Sequence, residues 1–188
     1  MIEAEVKARV RHPQEVRAGL DRLATARVEV YQDVYADRDG VLAGADRELR
    51  VRTVHGPDST RAVLTYKEPR VDSSGSKPEF ETTVGDGAQV LEILGHLGYQ
   101  PSLRFSKHCR NYDFQAHGRS MLATLVQVPE LDGVFLEVET AAADQAELPD
   151  ALAAVRAVLR DLGIGEEDET DELYTDAVAA HRSRPTAT

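Results

Sequence analysis

Cysteine and aromatic residues are both scarce in this chain: there is a single Cys109, no tryptophan, and only four phenylalanines and six tyrosines. One thiol excludes an internal disulfide framework and any thiolate metal cluster. The thin scatter of rings marks no base-stacking pocket. No apolar run approaches the length of a membrane span, and the charged start is not expected to be a signal peptide. Bases are also in short supply: 22 Lys and Arg against 33 Asp and Glu give a formal charge of −11, so the body should repel nucleic acid and anionic lipid. A polyanion can enter only where bases are gathered locally. The histidines show no convincing helical zinc spacing, and His108 and His117 read as ordinary strand and turn residues. Nothing resembles a linker. Residues 1–182 are expected to form one cytoplasmic domain with a substantial core, followed by a disordered tail over 183–188.

What the chain does have is strict alternation of greasy and ionic residues. Residues 2–11 read I-E-A-E-V-K-A-R-V-R, the two-residue period of a strand with one apolar and one charged face. Taken alone, this is an ordinary half-wet strand. The same pattern recurs, however. Residues 28–37 put Glu29, Tyr31, Asp33, Tyr35 and Asp37 on one face, and residues 47–54 do so with Glu48, Arg50 and Arg52. Residues 60–67 carry Arg61, Val63, Thr65 and Lys67 together, Glu79 and Glu81 alternate with Phe80, and Phe135, Glu137 and Glu139 share a face in 134–140. Residues 103–116 and 119–128 read as two strands about the turn at His117 and Gly118. Helices are expected from Pro13, with Val16, Leu20 and Leu23 apolar, over 88–97 on apolar sheet surface, over 150–162 and over 171–182. The acidic run 166–172 reads as a solvated helix entry, and the Ser/Gly-rich 71–77 as a flexible loop.

Many strands in an order that is not βαβ predict an α+β fold, an eight-stranded antiparallel β-barrel or tunnel flanked by helices. In a dry interior each ionic group would cost several kcal/mol unless paired or bound to an opposite charge. A water-filled tunnel avoids that cost. Glu3, Glu5, Glu137 and Glu139, as two i, i+2 pairs, make a hard-oxygen site suited to Mg2+ or Mn2+. Lys7, Arg9, Arg50, Arg52, Lys67 and Lys107 are the residue types that hold phosphate oxygens. Acids for a cation and bases for a polyanion, in one tunnel, describe a site for a nucleoside triphosphate or polyphosphate.

The E-A-E-V-K of Glu3, Glu5 and Lys7 resembles the E-x-E-x-K signature of the CYTH family, the triphosphate tunnel metalloenzymes that include class IV adenylate cyclases and thiamine or inorganic triphosphatases. The order that follows is similar to the family's as well. It runs through D-x-Y at Asp33 and Tyr35, L-R-V-R with Arg50 and Arg52, L-T-Y-K ending at Lys67, and K-x-E-x-E at Lys77, Glu79 and Glu81. Lys107 and Tyr112 come next, then F-L-E-V-E with Glu137 and Glu139. The resemblance covers about residues 1–176. It implies glutamates that ligate a divalent metal and bases that grip a triphosphate, with Glu5, Lys7 and Glu137 at the reaction. Arg110, Glu79 and Glu81 are implied as further substrate contacts, and a homodimer by analogy. The closing L-Y-T-D at Leu173 to Asp176 resembles the bacterial cyclase-like branch. Two positions depart from the pattern: Cys109 stands where the family's K-x-R has arginine, leaving Arg110 one place late and directed out of the tunnel unless a bulge intervenes, and Gln127 stands where an acid is frequent. Three functions are therefore expected in order: an ATP cyclase, a triphosphatase, and a non-catalytic polyphosphate-binding module.

Overall fold

Alternation in the first strand decides the architecture. In β1 (Ile2–Arg9), Ile2, Ala4, Val6 and Ala8 are buried, while Glu3, Glu5 and Lys7 face a partly wet interior. The computed structural model describes residues 1–71 and 75–184. The middle of the loop expected over 71–77 and the end of the tail expected over 183–188 fall outside them. After β1 come α1 (Pro13–Leu23), β2 (Arg27–Asp37), α2 (Val41–Gly44), β3 (Glu48–His55), β4 (Thr60–Lys67), β5 (Lys77–Val84) and α3 (Gly87–His96). Then follow β6 (Gln100–Ala116), β7 (Arg119–Gln127), β8 (Phe135–Ala142), α4 (Leu148–Asp161) and α5 (Tyr174–Ser183). The eight strands close into an antiparallel barrel in the order β1-β5-β4-β3-β2-β6-β7-β8.

The main apolar core lies outside this barrel. Val6, Met121, Leu136 and Val138 turn outward and pack with Val16 and Leu20 of α1 and Leu152, Val155, Val158 and Leu159 of α4. Burying each such side chain contributes about 1.5–3 kcal/mol. A smaller cluster of Phe105, Cys109, Val126, Phe135, Tyr174 and Val178 fills one end of the barrel, so α5 closes that end. The sequence reading of faces holds strand by strand, and the hairpin at His117 and Gly118 has both residues at positive φ, 49° and 74°.

Two expectations need correction. The acidic run is not a solvated helix entry. After a 3-10 turn over Glu166–Asp168 it becomes an extended strap: Glu169 bridges Ala8, and the Thr170 amide donates to the Lys7 carbonyl at 2.9 Å. The strap takes the β1 edge that β5 leaves free, because β1 pairs with β8 over eight residues but with β5 only at Ile2 and Glu3. The helical segments at Leu23, Ile93 and Leu97 are less apolar-packed than expected, with those side chains 49%, 51% and 61% exposed. After β2 a turn over residues 38–40 leads into α2, and the Asp37 carboxylate accepts from the amides of Arg38, Leu42 and Ala43.

Because Leu136 is wholly buried between barrel and helices, Leu136→Ala should lower unfolding free energy by about 2–5 kcal/mol in a urea titration. A loss below that range would mean the core does not lie on the barrel's outer face.

Candidate functional site

The barrel encloses a cavity of about 670 Å3. Ten Lys and Arg side chains line it against nine Asp and Glu. Nearly half of the chain's 22 bases are therefore spent on this one surface, and the acidic excess of the molecule lies elsewhere. The cause is local: every lining strand alternates, so its ionic face turns in when its apolar face is claimed by the outer core.

At one level of the tunnel the acids gather. Ligand oxygens of Glu3, Glu5 and Glu139 all lie within 4.8 Å of one another. Burial pushes Glu5 up to about 8, with repulsion from Glu137 and Glu3 adding to it. Glu139 is held well above the usual carboxylate range by burial and by Glu3 and Glu5. Carboxylates that resist ionisation next to one another are a hard-oxygen donor set which a divalent cation would relieve, so Mg2+ or Mn2+ fits these residues. Glu137 stands apart from the trio, with its Oε1 3.7 Å from Lys107 Nζ.

The bases are arrayed opposite. Lys67 Nζ sits 2.5 Å from Glu3 and 2.7 Å from Glu79, and although burial works against its charge, Glu3, Glu5 and Glu79 hold the ammonium well above its ordinary range. Arg52 makes a two-pronged pair with buried Asp33 at 2.6 and 2.7 Å, and the Tyr31 ring covers its guanidinium at 4.3 Å. Burial opposes the Asp33 charge, but the Arg52 hydrogen bonds outweigh it and hold the carboxyl at about 2. Arg50 donates to Thr65 at 3.2 Å and lies 3.9 Å from Glu81, while its buried Nε finds no acceptor among the described residues. Lys7 and Lys107 place their ammonium groups 4.6 and 4.1 Å from the Tyr174 ring centroid, at the closed end. Burial makes Lys7 easier to deprotonate, against the pull of Glu137 and Glu5; its Nζ donates to the Glu172 carbonyl of the strap.

The tunnel thus brings together Glu3, Glu5, Lys7, Arg50, Arg52, Lys67, Glu79, Glu81, Lys107, Glu137 and Glu139. Glu79 and Glu81 act as partners of Lys67 and Arg50. Two expected residues lie elsewhere. Arg9 is outside the cavity, paired with Glu172 of the strap at 2.9 Å. Arg110 has no bulge beside it, since the β2–β6 register slips only at Tyr35/Ala36, and it reaches Asp21 and Tyr112 on the outer face. Cys109 does face inward, but burial pushes its thiol up to about 12, and Gln127 is exposed away from the cavity. Arg27, Arg61, Arg70 and Arg156 line the tunnel unannounced. Arg61 had a signal, its place on the Thr65 and Lys67 face. Arg156 sits on a helix, where strand alternation says nothing.

A closed antiparallel barrel with an ionic interior and its core outside is a tunnel protein in its construction. The CYTH domain matches residues 1–174, and the chain belongs to the CYTH family, whose members are triphosphate-acting enzymes. It is similar to a putative adenylate cyclase of Methanocaldococcus jannaschii, 26% identical over 183 residues that span 93% of this chain and 97% of the relative. Among solved structures, a putative adenylate cyclase from Vibrio parahaemolyticus superposes with a TM-score of 0.81 at 17% identity, covering 95% of this chain and 98% of that one. A putative adenylyl cyclase from Hippeastrum with a dominant triphosphatase activity superposes at 0.67 with 15% identity, covering 95% of both chains. At these identities the two structures speak for the fold.

The acid trio sets a pH dependence. A carboxyl raised from 4.5 to about 8 on folding contributes stability that is full below pH 4.5 and is lost by about pH 8. Without divalent cation, the denaturation midpoint should fall across that window, and Glu5→Gln should remove most of the fall. Adding Mn2+ at the upper pH should raise the midpoint of the parent protein and leave the variant unmoved; a flat parent profile would break up the acid cluster.

Proposed function

We propose that this chain is a metal-dependent enzyme that breaks a phosphoanhydride bond of a nucleoside triphosphate in the tunnel, by the class IV adenylate cyclase reaction that converts ATP to cyclic AMP and pyrophosphate. The observation that carries the reading is the facing arrangement in one cavity. Glu3, Glu5 and Glu139 lie within 4.8 Å of one another, and Arg50, Arg52, Lys67 and Lys107 line the same space. Mg2+ or Mn2+ held by the glutamates would neutralise phosphate oxygens and the charge that develops on the leaving pyrophosphate.

The protein's own part is positioning and charge stabilisation. Arg52 is fixed by Asp33 and Tyr31 before any ligand arrives, so its remaining hydrogens point at a phosphate with little ordering cost. Arg50, with an unclaimed Nε, adds a second fork. In the cyclase reaction the ribose 3′-oxygen bonds to the α-phosphorus, the α–β bridge breaks, and pyrophosphate leaves with the electron pair. The hydroxyl proton passes to solvent or to a neighbouring carboxylate. No covalent nucleophile is required. The triphosphatase is the second reading, favoured by the activity of the Hippeastrum relative. There the same clamp would hold the chain while water bonds to the terminal phosphorus, the last phosphoanhydride bridge breaks, the shortened phosphate chain leaves with the electron pair, and the water's proton passes to solvent.

Incubating the pure protein with ATP, or with inorganic triphosphate, plus Mg2+ or Mn2+ separates these. Cyclic AMP with pyrophosphate is the expected product; orthophosphate selects the triphosphatase, and binding without turnover a non-catalytic module. Glu5→Gln and Glu137→Gln should abolish turnover while the protein stays folded by circular dichroism. Arg50→Ala should weaken triphosphate binding about ten- to a hundredfold, the size of a lost charge-assisted hydrogen bond, whereas Arg110→Ala should leave it unchanged. Equal losses would put Arg110 in the tunnel.

A further inference from the structure

A second cleft, of about 840 Å3, opens from the acidic level of the tunnel. The two spaces share a wall: Glu3, Glu79, Glu81, Leu122 and Glu139 line both. Their chemistry is opposed, however. The tunnel has ten Lys and Arg side chains, while the cleft has none among the described residues. On the shared wall Glu79 is paired with Lys67 and Glu81 with Thr65 and Arg50, while Glu3 and Glu139 belong to the acid cluster of the tunnel.

What the cleft presents instead is apolar. Phe80 of β5 is 62% exposed although it is one of only four phenylalanines. Phe114 of β6 lines the opposite wall beside Ile2 and Met121. Gln115 donates to the Ser120 hydroxyl at 2.6 Å, and this side-chain amide and hydroxyl also line the cleft. The gap exists because β1 meets β5 only at Ile2 and Glu3, leaving the rest of β5 to face the β6–β7 hairpin across open space.

We infer that this cleft seats the organic group of the substrate, a planar heteroaromatic ring laid against Phe80, with the phosphates running past Glu3 and Glu139 into the tunnel. The inference rests on the triphosphate reading of the tunnel and narrows it: the preferred substrate class is a triphosphate ester of an uncharged aromatic nucleoside, and inorganic triphosphate uses the tunnel alone. Phe80 is a specificity-determining residue that touches the ring and no phosphate. An apolar ring surface flanked by a few polar groups is how such sites recognise a base.

Calorimetric titration in the presence of Mn2+ tests this without requiring turnover. Phe80→Ala should weaken ATP binding about tenfold, the loss of one stacked ring, and leave inorganic triphosphate binding unchanged. As the chain has no tryptophan, Phe80→Trp supplies a sole indole reporter whose emission ATP should quench and inorganic triphosphate should not. Loss of neither ligand, or equal loss of both, in Phe80→Ala overturns the inference while leaving the tunnel reading intact, as does equal quenching by the two ligands. Failure of the unaltered protein to bind either ligand overturns the tunnel reading and this inference with it.

Discussion

Ionised side chains survive inside a closed barrel only because opposite charges face one another across it. Burial of a lone carboxylate or guanidinium costs several kcal/mol, and in this interior most of that cost is offset by neighbours on the adjacent strand. Arg52 lies across from Asp33 in the β2–β3 register, Lys67 from Glu79 in β4–β5, and Lys7 from Glu137 in β1–β8. The pairing is thus written into strand register, and register is enforced from the other side, where Val6, Leu136 and Val138 must reach the outer core. A slip of one residue would turn the acids into the oil and the valines into the tunnel. Where cross-strand matching fails, with Glu5 lying across from Glu139, the imbalance persists as raised proton affinity at those two carboxyls.

Much of this was legible because strand alternation carries two messages at once. Glu3, Glu5 and Lys7 on β1, Arg50 and Arg52 on β3, and Glu137 and Glu139 on β8 were assigned to one interior from their spacing alone, and the described structure puts them there. Arg9 kept the correct face and still missed the cavity: periodicity gives direction but not depth, and β1 outruns the tunnel by its last residue, which the strap claims. The strap itself was unreadable. Glu166 to Glu172 looks like any solvated acidic run, and only the unpaired edge of β1, a property of the whole barrel, tells Glu169 and Thr170 where to bond. Phe80 and Phe114 are far apart in sequence and each looks like a routine strand residue, so sparse aromatics hid a site that two strands assemble.

The two cavities divide labour by charge. One is rich in bases and closed at one end by Tyr174; the other has no Lys or Arg among the described residues and meets it at the acids. A molecule with a charged tail and a neutral head has a single way to lie across that boundary. Family membership alone leaves the direction of a substrate open, and the asymmetry of the lining is what favours one direction in the proposal above.

The bonding of β1 also bears on how the protein is made. β1 is made before every other strand of the barrel, yet its longest partner is β8 and its remaining edge is satisfied by Glu169 and Thr170, so neither side can be filled until those later segments have been made. During synthesis the ionic face of that strand has no tunnel to enter and its amides have no mate, the condition in which edges invite adhesion between chains. Its Glu, Lys and Arg residues at every second place then do a different job, keeping the waiting ribbon soluble until the barrel can shut.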